Sequence, residues 1–239
     1  MPLRLIFLLL IVSGCRFQPV NMVNGGLVLI DSSLPADKAK FYHADEHTTG
    51  YPIYYMGPVA DTIVLPSRPL SPYRKSADEA FDGDVPRAPA DSAHLRIVVD
   101  TAFPLSGGIR YARFGCSKKA QATAVLDSIV YYKAVPVFLY NKGVGVFNIG
   151  KFGALNHIIM QARNESGNWQ DVVRPPDYYC GTGASEQVLK AGEVAIAKLF
   201  LMDGDYTTTC RLKFRLWKDS VYSNVFPFVI DRRQLKKAL

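Results

Sequence analysis

Residues 206–216 read YTTTCRLKFRL. The even positions are Tyr206, Thr208, Cys210, Leu212, Phe214 and Leu216; the odd ones are Thr207, Thr209, Arg211, Lys213 and Arg215. A period of two held this long predicts a strand with one face in the core and one in water. A helix would spread the three basic residues around its circumference. The next apolar run, VYSNVFPFVI at 221–230, is expected to pair with this strand through the turn Lys218-Asp219-Ser220. Upstream, EVAIAKLFL (193–201) is entered by Lys190-Ala191-Gly192, and LNHIIMQAR (155–163) turns at Glu165-Ser166-Gly167-Asn168 into a return strand, Trp169 to Val173. VLDSIVYYKAVPVFLYN (125–141) is a further strand-like run. Strands in succession with turn residues between them predict an antiparallel sandwich from about residue 123. The 13 Tyr and 13 Phe suit strands.

The first half is less regular. YPIYYMGPVADTIVL (51–65) reads as two short strands broken at Gly57-Pro58, and LRIVVD (95–100) as a compact strand. Residues 66–94 are proline-rich and charged, which predicts a linker. Residues 101–122 are polar and contain glycine, and their Cys116 reads as structural. The expected fold class is therefore mainly β. A small irregular β-containing region at 34–122 precedes a C-terminal sandwich at 123–239.

The N-terminus, MPLRLIFLLLIVSGC, predicts an address. Arg4 supplies a positive charge, Leu5 to Val12 is an unbroken apolar run, and small residues lead to Cys15. Such a run spans about 12 Å as a helix against a hydrocarbon core of about 30 Å, so it reads as a signal h-region and not a membrane span. Val12-Ser13-Gly14-Cys15 resembles the lipobox of bacterial lipoproteins. The resemblance implies cleavage after residue 14 and lipidation of Cys15 with acyl chains such as palmitate, and residues 15–33 then form the anchor and tether. The implied localisation is the cell envelope, the outer membrane preferred over the inner. The formal charge is +7. Its clusters are small and scattered, which reads as a solvated surface and not as a nucleic-acid footprint.

The strings NESGNWQDVV, YYCGTG, GDYTTTCRLKFRL and VYSNVF, between about 123 and 230, are similar to uncharacterised envelope lipoproteins of the Bacteroidota kind. The end of the chain also resembles the last strands of an immunoglobulin-like or fibronectin-like sandwich, with Asp203-Gly204-Asp205-Tyr206 at the place of a tyrosine corner. Cys210 follows Tyr206 by four residues and not two, which departs from that pattern. The resemblance implies a fold and an address but no activity.

Chemical motifs are sparse. His43-Ala44-Asp45-Glu46-His47 fits H-x-x-E-H, the pattern of inverted zinc hydrolases. The metal reading needs a helix across 36–49 with His43 and His47 on one face, Glu46 as base, and a third ligand that no later segment supplies. The stretch has little amphipathic character, so it reads as a polar connector, with a small zinc hydrolase as the alternative. Cys180 and Cys210 either close a disulfide loop or are two separate thiols, since connectivity cannot be read from spacing. Trp169, Tyr178 and Tyr179 form a candidate binding loop for a sugar or a protein. No cofactor is expected. The function expected is a lipid-anchored envelope protein, binding or structural, that recognises a protein or glycan; its partners are the membrane and that ligand.

Overall fold

The computed structural model describes residues 20–23, 27–43, 50–70, 93–115, 123–151, 153–173, 186–215 and 219–235. The protein is mainly β, and among the described residues the only helices are single 3-10 turns at Ala36–Lys38 and Arg232–Leu235. Antiparallel sheets enclose one continuous apolar core, the arrangement of a β-sandwich.

The first strands are β1 (Val20–Val23), β2 (Leu27–Asp31), β3 (Tyr42–His43), β4 (Tyr51–Pro58), β5 (Thr62–Leu65), β6 (Leu95–Val99) and β7 (Leu105–Gly115). The middle of the chain supplies β8 (Thr123–Asn141), β9 (Phe147–Lys151), β10 (Ala154–Leu155), β11 (Ile158–Arg163), β12 (Trp169–Val173) and β13 (Glu186–Leu189). The last are β14 (Glu193–Phe200), β15 (Met202–Asp203), β16 (Tyr206–Arg215), β17 (Ser220–Tyr222) and β18 (Phe226–Ile230). The large sheet runs β13-β9-β10-β4-β14-β8-β6, with β7 on the first half of β8. The second runs β12-β11-β16-β17, with β18 also on β16. A smaller sheet joins β1, β2 and β5.

The alternation in β16 is realised. Cys210, Leu212 and Phe214 are buried, whereas Thr207 and Arg215 are exposed. β14 behaves differently, being buried almost end to end, because it lies in the middle of a sheet covered on both faces.

Two expectations meet a different structure. Strands from both sides of residue 123 share one sheet: β4 pairs with β14, and β6 and β7 pair with β8. The tether expected over 15–33 does not extend over β2, since Leu29 is fully buried and β2 pairs in parallel with β5. The polar stretch 101–122 contains β7. Its Gly107 and Gly108 lower strand propensity, but a Cβ at Gly107 would lie 2.5 Å from the Phe200 ring, so packing excludes a side chain there. Most of the linker expected over 66–94 lies outside the described residues.

The run 221–230 is also split, into β17 and β18. Ser223 bulges out: its N–H donates to the Leu212 carbonyl (2.9 Å), and its Oγ accepts from the Leu212 N–H (2.9 Å). The next residue, Asn224, takes the N–H of Val99 (2.8 Å) and donates to its carbonyl (2.9 Å). One side-chain amide thus pairs with the edge of β6 as a strand would, and ties the two sheets together.

Two predictions arise from the core. Tyr51 is buried, and among the described residues its hydroxyl has no hydrogen-bond partner. A desolvated, unpaired hydroxyl is unfavourable. Tyr51→Phe is expected to leave stability unchanged or raise it by up to about 1 kcal/mol in urea melts; a clear loss would mean the hydroxyl is bonded in solution.

His157 packs edge-on against Phe214 (5.9 Å between centroids). Burial, helped by Lys151, holds its imidazole below the usual histidine range. Its folded pKa therefore lies under the unfolded value, so the unfolded chain binds the extra proton first. Stability is expected to fall as pH drops below about 6.5, and His157→Gln should flatten that part of the pH–stability curve.

Candidate functional site

The exposed face of the second sheet is built by register. Arg163 on β11 lies opposite Trp169 on β12, and Gln161 lies between Asp171 and Arg211. Lys213 lies opposite Tyr222 on β17. Residues opposite one another in a sheet share a face, and long side chains also reach diagonal neighbours. Arg211 therefore meets both aromatics. Its guanidinium carbon is 4.2 Å from the Trp169 ring centre and 4.0 Å from that of Tyr222. Arg163 lies 5.0 Å from the same Trp169 ring. Such contacts each contribute about 0.5–1 kcal/mol at exposed sites.

Hydrogen bonds fix the stack further. Arg211 Nε donates to Gln161 Oε1 (2.9 Å), and Gln161 Nε2 donates to Asp171 Oδ1 (2.8 Å). Tyr222 is 43% exposed and also borders a cleft of about 460 Å³ between the edges of β6 and β17. Leu95 and Ile97 line it, with Arg96, Lys142 and Asp219 as its charged groups. Cations outnumber carboxylates in both parts, so the combined surface suits an anionic or polyhydroxylated ligand.

The residues expected from sequence are dispersed. Trp169 belongs to this face, but it sits on a strand and not in a loop. Tyr178, Tyr179 and Cys180 lie outside the described residues, as do Cys15, Glu46, His47 and Cys116. His43 is in the two-residue strand β3, which pairs in parallel with β15, and not on a helix. Its Nε2 is 3.9 Å from an Asp203 carboxylate oxygen, both side chains about two-thirds exposed. The helix that the zinc reading requires is thus not formed at 36–43, where a 3-10 turn of three residues gives way to extended chain. Among the described residues no three His, Cys, Asp or Glu side chains gather into a metal-binding group. Cys210 is a free, buried thiol, and burial pushes its pKa up to about 12; this suppresses thiolate chemistry there.

A second polar centre lies inside the protein. Lys198, fully buried on β14, contacts Asp31 at 2.9 and 3.0 Å and Ser33 Oγ at 3.1 Å, and donates to the Ser106 carbonyl. The Tyr54 ring centre is 4.1 Å from its ammonium. Asp31 in turn accepts the N–H groups of Ser33 (3.0 Å) and Ser106 (3.2 Å). Desolvation lowers the Lys198 pKa, while Asp31 opposes that shift. A lowered lysine in a cleft would suggest catalysis, but this one has no exposed surface. Its role is to fasten β2 onto the large sheet.

Sequence reasoning missed Arg211, Tyr222, Gln161 and Asp171 as partners of Trp169. Alternation placed Arg211 on the wet face, but cross-strand register decides which residues meet. No protein-family profile, curated protein or solved structure matches the chain.

Proposed function

We propose that this chain is a lipid-anchored cell-envelope protein of binding type, with an Ig-like sandwich that recognises a protein or glycan partner. The half-buried stack of Trp169 and Arg211 with the exposed Tyr222, which also borders the cleft beside β6, is the observation that carries this reading. Rigid aromatic and arginine side chains are the residue types that dominate recognition surfaces. The segment 174–188, with Tyr178 and Tyr179, follows β12 in sequence and is proposed to take part in recognition. The lipobox-like VSGC supports the anchor at Cys15 and the envelope address.

Two experiments test the two halves of this reading. A photo-reactive residue in place of Tyr222, irradiated in intact cells, should cross-link a defined envelope component, and Trp169→Ala should reduce the yield. Absence of any cross-link would sink the binding role. Labelled palmitate should enter the wild-type chain but not Cys15→Ser; equal labelling would remove the anchor.

A further inference from the structure

The stack leaves one part of Arg211 uncommitted. A guanidinium carries five N–H donors. Nε is bonded to Gln161, and the plane is held by two rings at 4.2 and 4.0 Å. Among the described residues neither terminal nitrogen of Arg211 has an acceptor. The group is therefore fixed in position with its two-pronged end free. A planar fork of this kind matches the two oxygens of a carboxylate, and little rotamer freedom remains to be lost on binding.

The neighbours narrow the ligand. The Trp169 ring already carries two guanidinium groups, and the Tyr222 ring carries one. Stacking a neutral sugar on these faces would compete with those contacts. The Asp171 carboxylate is held beside Arg211 through Gln161. It would repel an all-acidic peptide but accept hydrogen bonds from hydroxyls. A ligand offering one carboxylate and adjacent hydroxyl donors matches the fork of Arg211 and can add a bond to Asp171 beside those it already makes. Arg96 and Lys142, across the cleft that Tyr222 borders, favour further negative charge along an extended chain.

We propose that Arg211, clamped between Trp169 and Tyr222, is a two-pronged site for the carboxylate of an acidic saccharide. This rests on the reading of the surface as a recognition face and names its ligand.

The test is calorimetric titration of the full chain in detergent at low salt with oligogalacturonate, hyaluronan fragments and oligosialate. At least one should bind, and its methyl ester should bind about tenfold more weakly or worse. Arg211→Lys keeps the charge but loses the fork, so it should also weaken binding about tenfold. Arg215→Lys, an exposed neighbour outside the stack, should bind as wild type and shows that the fold is intact. Binding to none of the three, equal binding by Arg211→Lys, or equal binding of polyglutamate would overturn the proposal. A protein cross-linked through position 222 without any saccharide binding would overturn the ligand and leave the recognition role standing. Failure of both experiments would remove the role as well.

Discussion

Asp31→Ala is expected to destabilise the protein by about 3–5 kcal/mol, because it leaves the Lys198 ammonium buried without its counter-ion. Lys198 has no exposed surface, and both Asp31 oxygens lie within 3.0 Å of it. The remaining acceptors, Ser33 Oγ and the Ser106 carbonyl, are neutral and cannot balance a charge removed from water. Lys198→Met alone should cost less, since Asp31 keeps the N–H groups of Ser33 and Ser106 and some exposure. The double variant Asp31→Ala/Lys198→Met should recover much of the loss, as apolar replacement of a buried pair is often close to neutral. Urea denaturation of the three variants measures this coupling.

The single variant should also acquire a pH dependence of known sign. Burial already lowers the Lys198 pKa, and Asp31 is what opposes that shift. Without Asp31 the folded-state value falls further below the unfolded one. Between the two values the unfolded chain holds more protons, so stability rises with pH through that window, up to the unfolded lysine range near about 10.4. An Asp31→Ala variant that loses less than about 1 kcal/mol would show that the pair does not fasten β2.

This centre also marks where the sequence stops being legible. In EVAIAKLFL, Lys198 is the one cation of a largely apolar strand. The strand is covered on both faces, and its lysine is satisfied by Asp31 at 167 residues' separation. A lone cation in a run that apolar residues otherwise fill is the available signal; its partner is not. β16 is readable because one face is wet, which leaves a period of two in the sequence itself. The same contrast runs through the candidate site. Trp169 and Arg211 are each visible, one as an aromatic near a turn, the other as an odd-numbered member of β16. Their contact needs β12, β11 and β16 in register, and register comes from turns, bulges and the opposing sheet. The glycine-bearing β7 is hidden for a related reason: Gly107 is required by the Phe200 ring, a long-range contact that local propensity does not record.

Gly204→Ala is expected to cost about 3 kcal/mol, the upper end for inserting a methyl group into filled space. A Cβ at Gly204 would lie 2.3 Å from the Ile230 carbonyl oxygen and 2.8 Å from the Asp231 nitrogen. Both are backbone atoms, so no side-chain rotation relieves the overlap. The chain must instead separate at the corner where β15 passes into β16 and β18 ends. That corner is held by Tyr206 opposite Ile230 and by the Arg232 N–H bond to Asp205 (2.8 Å). The strain should therefore loosen the edge of the second sheet first, and amide exchange in β18 should quicken before that in β14. Gly192→Ala is the control for conformational strain without overlap. Gly192 has a left-handed φ of +74°, and a methyl group added there would meet no atom within 4 Å; its expected cost is only about 1 kcal/mol. Equal losses for the two variants would mean that the close approach to Ile230 is not what selects glycine at the Asp203-Gly204-Asp205-Tyr206 corner.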